Sequence, residues 1–277
     1  MEPRYRTMPT TPIFYGANHN LFDLIKTHIF IVSPNNSGST LVKNLFATSK
    51  HTWNLPREGQ AMMGFQGVRT RGTTHPLLWM TNCELLKKMK SSESFDWKKN
   101  QLQWYFQSFS LSQHANIFIE KSPGSLVWIN QLHAFFEHTK FIFMIRNPYA
   151  VVSSIARKYQ SSLGLENATT LACTHIIHCM RQQKINIETY KDIGILIRYE
   201  DLCEKTDEVA LIICELDKRL SDLDYASAVP VKGNYNERIR NMNDEQIAQL
   251  STHQISIIRQ YFNKNKDILA YYQYSVI

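Results

Sequence analysis

Two sets of polar residues in this 277-residue chain have the types and spacing to hold anions. The first is Ser37-Gly38-Ser39-Thr40, directly after Ser33-Pro34-Asn35-Asn36. Its three hydroxyls can donate to anionic oxygens, and Gly38 lets the backbone close on a ligand. The second is Arg146 with Ser154, eight positions later. Arginine supplies a charged fork and serine a hydroxyl, and charge-assisted hydrogen bonds of this kind contribute about 1.5–3 kcal/mol each. The bland alternative is an arginine paired with a carboxylate and a serine packed inside a helix.

The elements around the first set are legible. An apolar, β-branched run, Ile29-Phe30-Ile31-Val32, predicts a short buried strand. It breaks at the turn-forming residues 33–36, after which Leu41, Val42, Leu45 and Phe46 recur at helical spacing. Strand, tight turn and helix start leave backbone N–H groups free at the positive end of the helix dipole, which suits a phosphate. The nucleotide-hydrolysing version of this turn has a glycine five positions before the second glycine, then Lys and Ser/Thr. Here Ser33 and Ser39 take the first glycine and the lysine positions, and no predicted strand ends in an obvious Mg²⁺-binding Asp. Kinase chemistry is therefore the weaker alternative, and a nucleotide-binding protein without catalysis is another.

Along the chain, residues 1–27 read as an irregular lead-in. Trp53-Asn54-Leu55-Pro56 is a short strand or its end, delivering Arg57-Glu58. Residues 59–76 hold a Gly/Thr-rich loop of a length that favours function. Helical patterns follow near 77–90 and 98–114. Strand–helix alternation resumes with strands at 116–120, 140–145 and 194–199. Helices are predicted at 125–137, 149–158 and 168–191, the last after a loop at SSLGLEN, and near 206–220 and 244–270. Short apolar strands alternating with helices predict an α/β fold, a single domain over 1–277 with a central parallel sheet covered on both faces. Ligands bind such sheets at the carboxyl ends of the strands, where these polar residues lie.

Lys and Arg number 31 against 24 Asp and Glu, a formal charge of +7. That favours anionic ligands, but the excess is scattered without a basic tract, so nucleic acid is not expected as a partner. Five cysteines, with no CxxC pair and no metal-ligand spacing to histidine, predict free thiols in a reducing cytoplasm and no metal site. No signal-peptide core and no apolar run of membrane-spanning length is visible, so no membrane is expected either.

Three segments occur in order at predicted strand ends. They are Pro34…Ser37-Gly38-Ser39-Thr40-Leu41, Arg146-Asn147-Pro148…Ser154, and Arg198-Tyr199-Glu200-Asp201-Leu202. Together they resemble the family of sulfotransferases dependent on 3′-phosphoadenosine 5′-phosphosulfate (PAPS), over roughly residues 28–205. The resemblance implies a P-loop NTPase-like sulfotransferase architecture. Its reaction is sulfonate transfer from PAPS to a hydroxyl or amine of a small-molecule acceptor, such as a natural product, with release of adenosine 3′,5′-bisphosphate (PAP). It assigns Ser37, Gly38, Ser39 and Thr40 to the 5′-phosphosulfate, Arg146 and Ser154 to the 3′-phosphate, and Tyr199 to the neighbourhood of the adenine. A tyrosine whose hydroxyl caps a turn is the alternative for Tyr199. Lys232-Gly233 faintly resembles the late basic-Gly element that closes over the 3′-phosphate.

The departures shape the catalytic assignment. Asn36 stands where the family has a basic residue, with an extra Asn35 before it. Lys121 is the natural substitute, since Glu120-Lys121-Ser122-Pro123 matches the family's central Lys element, where the lysine contacts the sulfonate. Its alternative is an ion pair with Glu120 or another carboxylate. The cytosolic small-molecule branch has a histidine two residues after this lysine, and here that position is Pro123. Glu58, 22 residues after Asn36, is placed much as the catalytic Glu of the tyrosylprotein branch, and a glutamate ionised at neutral pH is a competent general base. Ion pairing with Arg57, Arg69 or Arg71 is its alternative, and His51 and His75 are the reserve bases. Met62, Met63, Phe65 and Trp79 are expected in the acceptor wall or, by default, in the core.

Overall fold

The computed structural model describes residues 14–15, 19–61, 70–91, 95–231, 235–237 and 239–277, with side chains over 22–61, 70, 72–91, 95–228 and 239–277. Its strands are β1 (Phe14–Tyr15), β2 (His19–Asn20), β3 (Thr27–Val32), β4 (Thr52–Asn54), β5 (Ile117–Lys121), β6 (Thr139–Ile145), β7 (Gly194–Arg198), β8 (Val229–Val231) and β9 (Tyr235–Glu237). The first six α-helices are α1 (Leu21–Leu24), α2 (Ser39–Phe46), α3 (Cys83–Lys90), α4 (Trp97–Ser108), α5 (Ser125–Phe135) and α6 (Pro148–Leu163). They are followed by α7 (Leu165–Thr189), α8 (Tyr199–Glu204), α9 (Thr206–Leu216), α10 (Asn243–Ile247), α11 (Thr252–Asn263) and α12 (Lys266–Tyr271). Strands β3 to β7 form one parallel sheet in the order β4-β5-β3-β6-β7, the α/β arrangement expected.

The period-two alternation of side chains divides the core into an aromatic and an aliphatic face. Phe30, Phe118, Phe141 and Phe143 point to one side, where Trp53, Trp104, Trp128 and helices α5 to α7 cover them. Ile29, Ile31, Ile117, Ile119, Ile142 and Met144 point to the other, against Leu41, Val42, Leu45 and Phe46 of α2 and Val209 and Ile213 of α9. Gln183 of α7 reaches under the sheet's carboxyl edge, donating to Val32 O at 2.7 Å and Met144 O at 3.1 Å. Those bonds hold the ends of β3 and β6 side by side, directly beneath the turns that follow them.

Several predicted boundaries move, each for a local reason. The helix predicted at 77–90 divides into a 3₁₀ segment, Pro76–Thr81, and α3, because Asn82 caps a new start by accepting Leu85 N–H at 2.9 Å. The helix predicted at 98–114 ends at Ser108. The expected loop at SSLGLEN is absent: α6 runs to Leu163 and α7 starts at Leu165, with Gly164 alone (φ 79°) turning the chain between them. The pattern at 206–220 ends its α-helix at Leu216 and continues as a 3₁₀ segment, Lys218–Asp222. The pattern at 244–270 resolves into α10, α11 and α12. Ser251 and Gln254 form the capping box that restarts it. The lead-in is not wholly irregular, since it contains the β1–β2 hairpin pair and α1. Among the described residues no helix is long and apolar enough to cross a membrane.

Candidate functional site

Parallel register brings the carboxyl ends of the strands to one edge: Ile31 lies opposite Lys121, Val32 opposite Phe143, and Ile145 opposite Arg198. Strand order then sets the sequence of groups across that edge. It runs from Glu58 beyond β4, through Lys121 ending β5 and the turn after β3, to Arg146 after β6 and Tyr199 after β7.

The turn itself is built from two left-handed residues, Asn36 (φ 59°) and Gly38 (φ 86°). Gly38 is required twice over: its backbone conformation is one L side chains rarely adopt, and a Cβ there would lie 2.6 Å from the Tyr199 ring. Gly38 O accepts Leu41 N–H at 2.9 Å, starting α2, whose first N–H groups have no intrahelical acceptor. Ser37 and Ser39 are buried and Thr40 is half-buried. Ser37 Oγ has no hydrogen-bond partner among the described residues. The additional Asn35 accepts the indole N–H of Trp79 at 2.7 Å, tying the turn to the 3₁₀ segment that follows the Gly/Thr-rich loop.

Arg146 and Ser154 both meet this turn, at the same residue. Arg146 Nη1 donates to Asn36 O at 3.2 Å, and the Asn36 side-chain amide donates to Ser154 Oγ at 3.0 Å. Asn36 thus links the two candidate anion-binding sets, which sequence places 110 positions apart. The buried guanidinium stacks over the Tyr199 ring, 4.1 Å from its centroid, and donates from Nε to Asn243 Oδ1 at 2.8 Å. Burial pulls its pKa below the ordinary arginine value, opposed by neighbouring Tyr199 and Glu200. Its Nη2 is buried with no hydrogen-bond partner among the described residues. Tyr199 packs its ring between Gly38 and Arg146, while its hydroxyl donates to Arg240 O at 2.8 Å and accepts Met242 N–H at 3.3 Å. The turn-capping alternative for its hydroxyl is therefore realised alongside the ring's place in the site.

On the other side of the turn, Lys121 Nζ donates to Glu58 Oε1 at 2.8 Å. Lys121 thus has a carboxylate partner, the alternative given for it, while the pair it makes with Glu58 is not one of the arginine pairs named for Glu58, of which the Arg69 and Arg71 side chains lie outside the described residues. Glu58 Oε2 also accepts from Gln60 Nε2 at 2.7 Å. Beneath this pair the fully buried Glu120 accepts from Gly59 N–H at 2.9 Å and from the Ser122 and Ser125 hydroxyls. Burial pushes its carboxyl up to about 7, against the opposing pull of those hydrogen bonds and of Lys121. Ser122 Oγ in turn accepts Gln60 N–H at 3.0 Å, so Glu120 of β5 and the residue just past its end hold the backbone of both residues after Glu58. From α2, Lys43 donates to Leu55 O at 2.9 Å and Pro56 O at 3.3 Å, fixing the segment leading into Glu58.

His51 is not brought to this edge. It precedes β4, at the amino end of the sheet, where its ring bonds His114 O and lies 4.0 Å from Asp222. His75 stands edge-on to Tyr159 of α6. Trp79 is fully buried, as core packing predicts. Lys232 and Gly233 lie outside the described residues, as do Met62, Met63, Phe65 and Arg69 within the predicted acceptor loop; only the backbone of Arg71 is described. Sequence offers Glu120 only as an alternative partner of Lys121, and it does not single out Gln60, Lys43 or Asn243. Glu120 had a signal, a carboxylate in an otherwise apolar strand, whereas Lys43 and Asn243 sit in ordinary polar helix positions.

A family model described as "Sulfotransferase family" matches residues 28–217, more than half of the chain, so this protein belongs to the sulfotransferase family. No curated protein matches it. Solved structures share the fold. The sulfotransferase domain from the curacin biosynthetic pathway superposes with a TM-score of 0.54 at 20% identity, covering 91% of this chain and 99% of that one. The sulfotransferase domain of the Synechococcus PCC 7002 olefin synthase gives 0.52 at 18%, covering 91% and 96%. A sulfotransferase from Alicyclobacillus acidocaldarius gives 0.53 at 11%, covering 90% and 97%.

Proposed function

We propose that this chain transfers a sulfonate group from PAPS to a hydroxyl or amine of a small-molecule acceptor and releases PAP. The observation that carries the proposal is the meeting of two candidate anion-binding sets at Asn36, each with a buried polar atom that has no partner among the described residues: Ser37 Oγ in the turn and Arg146 Nη2 beside it. A buried donor left unpaired is costly, and most so when charged, so the residues present fit a ligand with an anion at each of the two positions. Asn36, Ser37, Gly38, Ser39 and Thr40 would hold the 5′-phosphosulfate. Arg146 and Ser154 would hold the 3′-phosphate, with Tyr199 near the adenine and Lys232-Gly233 as a further 3′-phosphate element. Bound there, PAPS supplies an activated sulfonate.

The chain's own residues supply positioning and charge. Glu58 takes the acceptor's proton on its carboxylate, held in place by Lys121 and Gln60. Lys121 provides the cation that the turn lacks at Asn36 and acts on charge as it develops, so its removal should harm turnover more than binding. Domains from curacin biosynthesis and an olefin synthase share this fold, which is the ground for proposing a natural-product acceptor. Five free cysteines support a reducing, cytoplasmic setting.

Thermal melting with PAP, PAPS or ATP–Mg²⁺, followed by transfer from labelled PAPS to a panel of alcohols and amines, tests this reading. PAP and PAPS should each raise Tm by several degrees and ATP–Mg²⁺ by far less, with label appearing on one acceptor class. Equal stabilisation by ATP–Mg²⁺ would overturn the donor assignment. PAPS binding without transfer to any acceptor would favour a non-catalytic nucleotide-binding protein.

A further inference from the structure

The segment after α12 reaches the arginine of the anion site through three hydrogen bonds. Tyr274, buried, donates its hydroxyl to Glu200 Oε2 at 2.8 Å. Glu200 Oε1 accepts the Asn243 side-chain amide at 2.6 Å and Asn147 N–H at 2.8 Å. Asn243 Oδ1 then accepts Arg146 Nε–H at 2.8 Å. The direction of this chain follows from what each group can do. A carboxylate only accepts, so Asn243 must turn its NH₂ toward Glu200 and its carbonyl toward Arg146. A neutral side chain at Glu200 would leave that amide free to flip and face the guanidinium with another donor. Burial, then the Glu200 charge, push the Tyr274 hydroxyl above the ordinary phenol range, so it stays a donor. Arg198 flanks the chain, its Nε 3.9 Å from Glu200 Oε2 and its guanidinium 4.9 Å over the Tyr274 ring.

The consequence lies in which nitrogen of Arg146 remains. Nε is committed to Asn243, Nη1 to Asn36 O, and the plane is set against Tyr199. Nη2 alone of the three nitrogens has no partner among the described residues. We propose that Tyr274 and Glu200, acting through Asn243, are positioning residues that set the Arg146 guanidinium for a 3′-phosphate, so that this segment helps select a 3′-phosphorylated nucleotide. The inference rests on the proposed PAPS site and adds to it the elements that orient its arginine.

Calorimetric titration with PAP and with adenosine 5′-phosphate, which lacks the 3′-phosphate, separates the possibilities. The wild-type protein should prefer PAP. Tyr274→Phe should weaken PAP about three- to tenfold and leave adenosine 5′-phosphate within about twofold, and Asn243→Ala should weaken PAP by about tenfold or more. Tyr149→Phe is the control, because its hydroxyl holds the backbone of Ile277 in the same segment without touching Glu200. It should lower Tm and keep the ratio of the two affinities. If Tyr274→Phe fails to fold, Asn243→Ala carries the comparison. An unchanged ratio in the foldable variants, or equal weakening of both nucleotides, overturns the positioning role. A wild-type protein without preference for PAP overturns the PAPS site, and the positioning role with it, a failure visible before any variant is made.

Discussion

The two flanks of the turn after β3 treat charge in opposite ways. Toward β4, charges close on each other: Lys121 pairs with Glu58, and Glu120 is sealed beneath them by backbone and hydroxyl donors. Toward β7, the Arg146 guanidinium meets a neutral amide, a carbonyl and an aromatic face, and one nitrogen has no partner among the described residues. A lysine already paired with a carboxylate is organised before any ligand arrives and gains less by taking up an anion. A buried cation with neutral partners gains a great deal. On the proposed reading, chemistry falls to the first flank and donor binding to the second, although the two lie on one edge of one sheet.

Three measurements would break or sharpen that division. The largest effect belongs to Glu58→Gln, for which turnover should fall by about 10²–10⁴-fold while PAP affinity stays within about twofold. Loss of both together in kinetic and calorimetric measurements would erase the distinction between the flanks. Arg146→Ala should do the reverse, lowering PAP affinity by about 10²–10⁴-fold, the loss of two charge-assisted hydrogen bonds. Retained affinity would remove the anion from that flank.

The smallest effect concerns Glu120. Its folded-state pKa of about 7 lies above its ordinary value of 4.5, so between those values the folded protein holds a proton the unfolded chain has released. This stabilising contribution is complete below the lower value and is lost as pH rises through the upper one. Glu120→Gln can keep an oxygen toward Gly59 and Ser122 and turn its NH₂ toward Ser125, so it should remove the pH dependence and not the contacts. Its Tm relative to wild type should rise between about pH 5 and about pH 8. A difference independent of pH would mean Glu120 is not a titrating group of this flank.

Much of the turn after β3 and its strand and helix was legible from local pattern. Ile29 to Val32, the break at Pro34 and the spacing of Leu41, Val42, Leu45 and Phe46 are near-neighbour features, and a strand–turn–helix with Gly38 at its bend follows from them. The family likeness of the SGST, RNP and YED segments added the expectation that these strand ends serve one ligand. Helix limits were less legible where one side chain decides them: Asn82 and Ser251 restart helices, and Gly164 turns the chain without the loop its neighbours suggest. Arg57, Arg69 and Arg71 were the partners named for Glu58; the side chains of the last two lie outside the described residues, and the lysine that pairs with Glu58 comes from another strand.

That pairing marks where local pattern ends. Residue types along the chain settle which segments become strands, which end in polar turns, and which groups are capable of binding an anion or taking a proton. They do so because backbone preference and side-chain periodicity act over a few residues. Lys121 with Glu58, 63 positions apart, and Arg146 with Asn36, 110 positions apart, come together through folding. Their meeting depends on the order and register of parallel strands, and those are set by burying an aromatic face and an aliphatic face at once, a property no single stretch of sequence contains.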